Sequence, residues 1–257
     1  MLGITQGLVN TTTKLFSPRD LLISTAGKDY WWTSNYRSLV SGGANSTHGQ
    51  TLDKWYPIVD AGNTTSLWLE DESTSGSEFL NDRGYVYSED GENSKWSLKN
   101  SSGDTNFTLT GDFYILIRAK FGTLNTGTDQ LFTDKDGTSN NFCRIQDHNT
   151  IRFKIAGGGN NNVDFDTNTF VVDTWYNIEL QRTSGTWIIS VNGEPSEDEV
   201  SDSGAWVLDR FFAISDGHVS DIFIKSSSTL TAAERTKLRN WMDRKGDLTW
   251  EAGGLTT

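Results

Sequence analysis

The chain of 257 residues carries 22 Lys and Arg against 34 Asp and Glu, a formal charge of −12. That balance opposes a broad phosphate-tracking surface and adhesion to anionic membranes, so neither nucleic acid nor membrane is expected as a partner. A lone Cys, Cys143, excludes an intrachain disulfide and a thiolate zinc cluster, and with a mean hydropathy of −0.51 no apolar run reaches a membrane-spanning length.

The opening MLGITQGLVNTTTKLF has neither a basic start nor a compact apolar stretch, and no secretory signal is expected from it. Residues 1–19 read as an extended arm ending at Pro18, because Leu2, Ile4, Leu8, Val9, Leu15 and Phe16 are spaced too irregularly for a helix. Up to residue 100 the pattern stays irregular. Trp31, Trp32, Trp55 and Trp68 stand among polar loops, and short outer strands are expected near 54–59, 66–69, 84–87 and 94–99.

After residue 106 the alternation sharpens. In Asp112–Lys120, Phe113, Ile115, Ile117 and Ala119 alternate with Tyr114, Leu116, Arg118 and Lys120, which predicts one face on a core and one in solvent. Ile151–Ile155 alternates likewise, with Arg152 and Lys154 outward, and Gly157–Asn162 reads as the tip of a hairpin. A further hairpin is predicted from residues 175–182 and 186–191, turned by Thr183-Ser184-Gly185 and ended by Asn192-Gly193. Other strands are expected at 130–133, 142–147, 163–166, 206–214 and 219–225. Near the carboxyl end, Thr231-Ala-Ala-Glu234 has the spacing of a capping box, and Leu238, Trp241 and Met242 form an apolar stripe. Arg244, Lys245 and Gly246 suit the last turn, so a surface helix docked on a β body is expected.

The order Phe113-Tyr-Ile-Leu-Ile-Arg-Ala-Lys, Asp173-Thr-Trp-Tyr-Asn-Ile-Glu-Leu, Ile188-Ile-Ser-Val-Asn-Gly, Asp216-Gly-His-Val-Ser-Asp-Ile-Phe-Ile and Leu230-Thr-Ala-Ala-Glu-Arg resembles the concanavalin A-like, laminin-G-like jelly roll. The resemblance covers residues 50–248 and is best from 107 onward. It implies an all-β jelly-roll sandwich over 20–250 with one C-terminal surface helix, an extended N-terminal arm over 1–19 and a tail over 251–257. More narrowly, the start Met1-Leu2-Gly3, the jelly roll and the closing helix resemble small virion structural proteins of marine tailed phages.

Such a fold hosts lectins, glucanases, lyases and structural modules, so the side chains must decide. Glycoside hydrolysis needs two carboxylates facing each other across a cleft. No Glu-X-Asp-X-Glu triplet occurs; Glu197-Asp198-Glu199 belongs to a loop in which the side chains diverge, and Asp164 and Asp166 lack a third carboxylate. His48, His148 and His218 have no nucleophile elbow to serve, and Cys143 reads as a small buried hydrophobe. Asp134 and Asp136, with Asn140 and Asn141 nearby, form a weak Ca²⁺ candidate that falls short of the six to eight oxygens the ion takes. Trp175 and Trp187, on adjacent strands, could share a face and stack on a sugar.

The expected function is therefore non-enzymatic and needs no cofactor. A virion structural protein, most simply a capsid decoration protein, would contact the major capsid protein or other virion proteins and further copies of itself. Leu2, Ile4, Leu8, Val9, Leu15 and Phe16 are the candidate partner-binding residues. The expected location is the virion, with the capsid surface favoured over the tail because no repetitive shaft is present. A glycan-binding module of a tail or baseplate is the alternative, and a glycan-active enzyme a distant third.

Overall fold

The computed structural model describes residues 16–22, 29–34, 39–41, 44–45, 51–57, 59–61, 67–72, 79–80, 85–88, 95–124, 130–134, 140–166, 170–213, 216–246, 249–251 and 254–256. In chain order the strands are β1 (Asp29–Thr33), β2 (Leu39–Ser41), β3 (Ala44–Asn45), β4 (Lys54–Trp55), β5 (Val59–Ala61), β6 (Trp68–Asp71), β7 (Phe79–Leu80) and β8 (Val86–Ser88). They continue with β9 (Trp96–Asn100), β10 (Gly103–Asp104), β11 (Phe107–Leu109), β12 (Phe113–Phe121), β13 (Gln130–Thr133), β14 (Phe142–Asp147), β15 (Thr150–Lys154) and β16 (Asn161–Asp164). The last group is β17 (Trp175–Thr183), β18 (Thr186–Val191), β19 (Glu194–Pro195), β20 (Val200–Ser201), β21 (Trp206–Leu208), β22 (Arg210–Ala213) and β23 (Gly217–Lys225). A 3-10 turn, Pro18–Leu21, precedes them, and helix α1 (Ala232–Gly246) and the hairpin β24 (Thr249–Glu251) and β25 (Gly254–Thr256) follow.

The first sheet runs β19-β18-β17-β12-β23-β1-β5, with β20 on β18 and β8 on β23; the second runs β16-β15-β14-β13-β22-β9-β6-β4-β2-β3. Strands distant in sequence lie side by side: β12 pairs antiparallel with β17 and β23, and β23 with β1. Two antiparallel sheets joined by such crossovers make a jelly-roll-like β-sandwich. The extended arm lies almost wholly outside the described residues.

Several expectations are corrected in detail. Asp29–Thr33, where no strand is expected from the sequence, is a central strand, and all five residues are buried. Residues 206–214 divide at Asp209 into β21, which pairs with β11, and β22, which joins the second sheet. The hairpin turn is two residues, Ser184-Gly185, because Thr183 pairs with Thr186; both turn residues take positive φ (50° and 85°), the conformation a right-twisted hairpin demands. Asn192-Gly193 repeats that geometry at φ 54° and 91°.

Large aromatics fill the space between the sheets. Trp187 stacks on Phe153 with ring centroids 4.5 Å apart and meets Trp206 and Phe113 edge-on at 5.2 and 5.0 Å. Arg182 closes this end of the core: its buried guanidinium donates to the carbonyls of Gly111, Gly204 and Leu109 at 2.8, 2.6 and 3.2 Å and lies over the Phe113 ring. Two loop carbonyls and the last carbonyl of β11 are thereby tied to one strand.

The largest correction concerns the outer face of the first sheet, which is not left to solvent. Tyr114, Leu116, Phe223 and Trp31 project outward into a second buried cluster with Leu21, Leu22, Leu230, Leu238 and Met242. Helix α1 covers them with the stripe read from its sequence, and Trp241 meets Trp31 edge-on at 5.1 Å. The capping box forms as expected. The Glu234 amide donates to Thr231 Oγ1 at 3.3 Å, and the Thr231 amide and hydroxyl donate to Glu234 Oε2 at 2.8 and 2.7 Å, which holds the Glu234 carboxyl below the usual range. Polar contacts set the helix register on the sheet. Buried Glu179 accepts from Tyr114 Oη and Arg239, both at 2.7 Å, and Asp243 accepts from Arg118 at 2.5 Å and Asn177 at 2.9 Å.

Leu238 is fully buried beneath α1. Leu238→Ala is expected to cost about 3 kcal/mol of unfolding free energy, measured by urea denaturation. A loss under about 1 kcal/mol would mean that the helix is not an integral part of the folded unit.

Candidate functional site

Beyond the sheet residues that Asp243 of α1 contacts, the outer face of the first sheet is half-buried among the described residues. Register places Tyr87 beside His218, His218 beside Lys120 and Lys120 beside Trp175, one row across β8, β23, β12 and β17. All four are half-buried. Tyr87 and His218 lie 4.7 Å apart by ring centroids; Trp175 contacts Tyr85 at 4.6 Å and His218 at 6.2 Å. Arg118, one step closer to the helix, lies 5.1 Å from the Trp175 ring, and Lys120 pairs with Asp173 at 3.4 Å. The row is a rigid, amphipathic strip with apolar rings, one ammonium and one carboxylate at its rim.

Trp175 and Trp187 do not share a face. Trp187 pairs with Arg182 on the inner side and is fully buried, donating to Asp202 O at 2.8 Å, whereas Trp175 faces outward with Asn177 and Glu179. Strand parity decides this: Trp187 lies opposite an even-numbered residue of β17, and the even positions face the core.

A second aromatic site lies on the other sheet. On β4 and β6, Lys54 pairs with Glu70 at 3.7 Å and lies 4.9 Å above the Trp68 ring, and Trp68 Nε1 donates to Glu70 at 2.9 Å. Tyr56 contacts Trp68 at 6.1 Å. Beside them is a hollow of about 510 Å³ lined by Thr51, Leu52, Asp53, Lys54, Glu70 and Asp71.

The remaining sequence candidates resolve as follows. Leu2, Ile4, Leu8, Val9 and Leu15 lie outside the described residues. Phe16 packs against the cluster beneath α1, so this one candidate is engaged within the chain. Asp134 accepts from the Asn141 amide at 3.1 Å, and the Asn141 side-chain oxygen accepts from the amides of Ala156 and Val207 at 3.2 and 3.3 Å. That oxygen serves the loop, and Asp136 lies outside the described residues. Cys143 is buried in β14 and its thiol is pushed far up by burial. His48 is outside the described residues, and His148 Nδ1 lies 3.2 Å from Phe170 O. Gly157 takes a φ of 86° in the expected hairpin tip.

The acidic residues differ from expectation. Glu197 does not diverge from its neighbours: its amide donates to Asp164 O at 3.0 Å and its exposed carboxyl hydrogen-bonds to Asp166. That bond, with the nearby charges of Asp166, Asp198 and Asp164, raises the Glu197 carboxyl above the ordinary range. The residues lie on an exposed sheet edge rather than across a groove.

Tyr85, Tyr87, Lys120, Tyr56 and Lys54 were not singled out in the sequence. The Tyr85-Val86-Tyr87 alternation, in a region expected to be a strand, carried a readable signal; the four-strand row did not, because its members come from distant segments.

No protein-family model matches this chain, and no curated protein does. Among solved structures, a Trypanosoma rangeli sialidase in complex with 2,3-difluorosialic acid is similar with a TM-score of 0.53 at 11% identity. The same enzyme with a difluoro-KDN ligand gives 0.51 at 12%. Both alignments cover 87% of this chain and 34% of the sialidase. The chain thus spans about a third of those enzymes' length, and at such identity the likeness shows a β-sandwich fold alone. A botulinum neurotoxin type C structure aligns over 80% of this chain and 52% of its own at 13% identity, with a TM-score of 0.46.

Glu72 anchors the polar outer face of the second sheet, accepting from Ser97 Oγ at 2.5 Å, from Lys99, and from Arg210 at 3.5 Å. Burial pushes its carboxyl up, but the bonds from Lys99 and Ser97 and the charges of Lys99 and Arg210 outweigh it, and the net direction is down. A carboxyl depressed in the folded state contributes stability present above its unfolded value of about 4.3 and lost as pH falls through the folded value. Glu72→Gln is therefore expected to destabilise the protein at neutral pH, with the wild-type and variant urea curves converging as pH falls. A gap that persists unchanged into acid would refute the assignment.

Proposed function

We propose that this chain is a structural protein of a tailed-phage virion, a concanavalin A-like, laminin-G-like jelly roll that decorates the capsid and works by protein–protein contact. The observation that carries contact over turnover is the row Tyr87, His218, Lys120 and Trp175. Tyr and Trp are the side chains that dominate interface energetics, and held on a packed sheet they lose little conformational freedom on binding. Support for the virion comes from the resemblance of the Met1-Leu2-Gly3 start, the sandwich and the Leu230-Thr-Ala-Ala-Glu234 helix to phage structural proteins. The partner is then the major capsid protein or another virion protein, with many copies adding weak contacts into stable attachment. Leu2, Ile4, Leu8, Val9 and Leu15 supply a second, segmental contact.

In particles purified from the encoding phage, the protein is expected to co-sediment with capsids. Trp175→Ala should lower its occupancy by roughly tenfold or more, and deletion of residues 1–15 should abolish incorporation while near-UV circular dichroism stays unchanged. Absence from purified particles would end this reading.

Glycan binding is the second reading, and the Trp68, Tyr56, Lys54 and Glu70 group favours it. A half-buried ring with a carboxylate and an ammonium at its edge, beside a hollow, can stack on a sugar and fix its hydroxyls. On a glycan array, binding lost in Trp68→Ala and kept in Trp175→Ala would establish it; an array without hits would dismiss it.

A further inference from the structure

The outer face of the second sheet carries a charge arrangement that neither reading uses. Arg144 on β14 and Arg152 on β15 are directly opposed across the strands, with Asn162 and Gln130 completing their row. Lys154, one step along β15, is opposed to Phe142, whose ring lies 4.9 Å beneath the Arg144 guanidinium. Like charges directly opposed on a sheet repel. No acidic residue within the described structure pairs with either arginine: Arg144 donates to Gln146 at 3.2 and 3.0 Å, and Arg152 to Asn162 at 2.6 Å. Burial and then Arg152 lower the Arg144 guanidinium. All three cations are half-exposed.

Next to them stands the opposite charge. Asp164 shares the outward face of β16 with Asn162, two residues or about 7 Å further along the strand. The loop after β19 brings Glu197 onto Asp164 and Asp166, with Asp198 beside them, and all four are exposed. Each cluster repels itself, and among the described residues no ion pair neutralises a member of either.

We propose that this face is a self-association surface, on which Arg144, Arg152 and Lys154 of one copy meet Asp166 and Glu197 of a second. A positive cluster on a face beside a negative one at that face's β16 edge is self-complementary, which is what a two-fold contact requires. The rotation lays each cluster on its opposite and relieves both repulsions at once. The contact is independent of the aromatic row and of any particle.

The test is sedimentation velocity on the full chain at low and high salt. A reversible dimer is expected at low salt, weakened roughly tenfold or more at high salt because exposed charges are screened. Arg144→Glu with Arg152→Glu should be monomeric, and so should Asp166→Lys with Glu197→Lys. An equimolar mixture of the two double variants should restore a heterodimer, which misfolding cannot mimic. Arg144→Gln with Arg152→Gln, compared by thermal melting, guards against loss of fold. A wild-type chain monomeric at low salt overturns the proposal, as does a dimer that both double variants retain. Retention of a monomeric wild type on dextran sulfate, lost in Arg144→Gln with Arg152→Gln, overturns it too and assigns the cations to an anionic polysaccharide.

Discussion

Burial of β12, β23 and β1 on both faces is the constraint from which the rest of the architecture follows. In an antiparallel sandwich one face of each sheet normally meets water. Here Ile115 and Ile117 point into the sandwich while Tyr114 and Leu116 point into a second cluster, and all four are fully buried. A sheet so constructed needs a cover. Helix α1 and the 3-10 turn at Pro18–Leu21 provide one from the two ends of the described chain, each contributing apolar side chains to the same cluster. Helix α1 is therefore structural. Its polar bonds from Asp243 and Arg239 to the sheet fix where on the sheet it lies, since an uncompensated buried Glu179 or Arg118 would be costly.

The position of the cover decides what remains available for binding. Asp243, near the end of α1, reaches Arg118 and Asn177, which are cross-strand partners. The next outward row is Trp175, Lys120 and His218, and there the helix gives out. The same alternation that supplies Tyr114 and Leu116 to the hidden cluster supplies Lys120 to the open strip. The partial exposure of the row thus follows from where the helix docks rather than from an unusual local sequence.

Much of this was legible from periodicity, and the failures have physical causes. Strands 130–133 and 142–147 emerge at their predicted bounds because turn residues flank short apolar runs. Capping box, apolar stripe and hairpin turns follow from local hydrogen-bond geometry, which one segment determines by itself. Asp29–Thr33 was missed because a strand buried on both faces has no polar alternate positions to mark its period. The outward burial of Tyr114 and Leu116 was missed although both are large and apolar. Their match with Leu238, Trp241 and Met242 emerges only once a helix and a sheet distant in sequence are brought together. Pairing of Glu197 with Asp166 was hidden for the same reason, as two loops far apart in the chain close the edge of the sandwich. Trp187 went astray by parity, because a three-residue turn shifts the return strand by one position and moves every side chain to the other face.

The two outer faces of the sandwich consequently have different physics. On the first sheet the open strip is aromatic, and its attraction comes from apolar burial and ring contacts, which salt leaves nearly unchanged. At the β14–β16 end of the second sheet the outward positions are the half-exposed Arg144, Arg152 and Lys154 and the acidic edge at Asp164, whose interactions weaken as ionic strength rises. A chain with a net charge of −12 repels its own copies at long range. Gathered cations offset that repulsion locally, and β14 and β15 gather three of them on one face. A contact through the aromatic strip and a contact through the charged face can therefore operate at once and be dissected by salt alone. The rigidity of the sandwich core between them keeps the geometry of the two contacts fixed relative to each other.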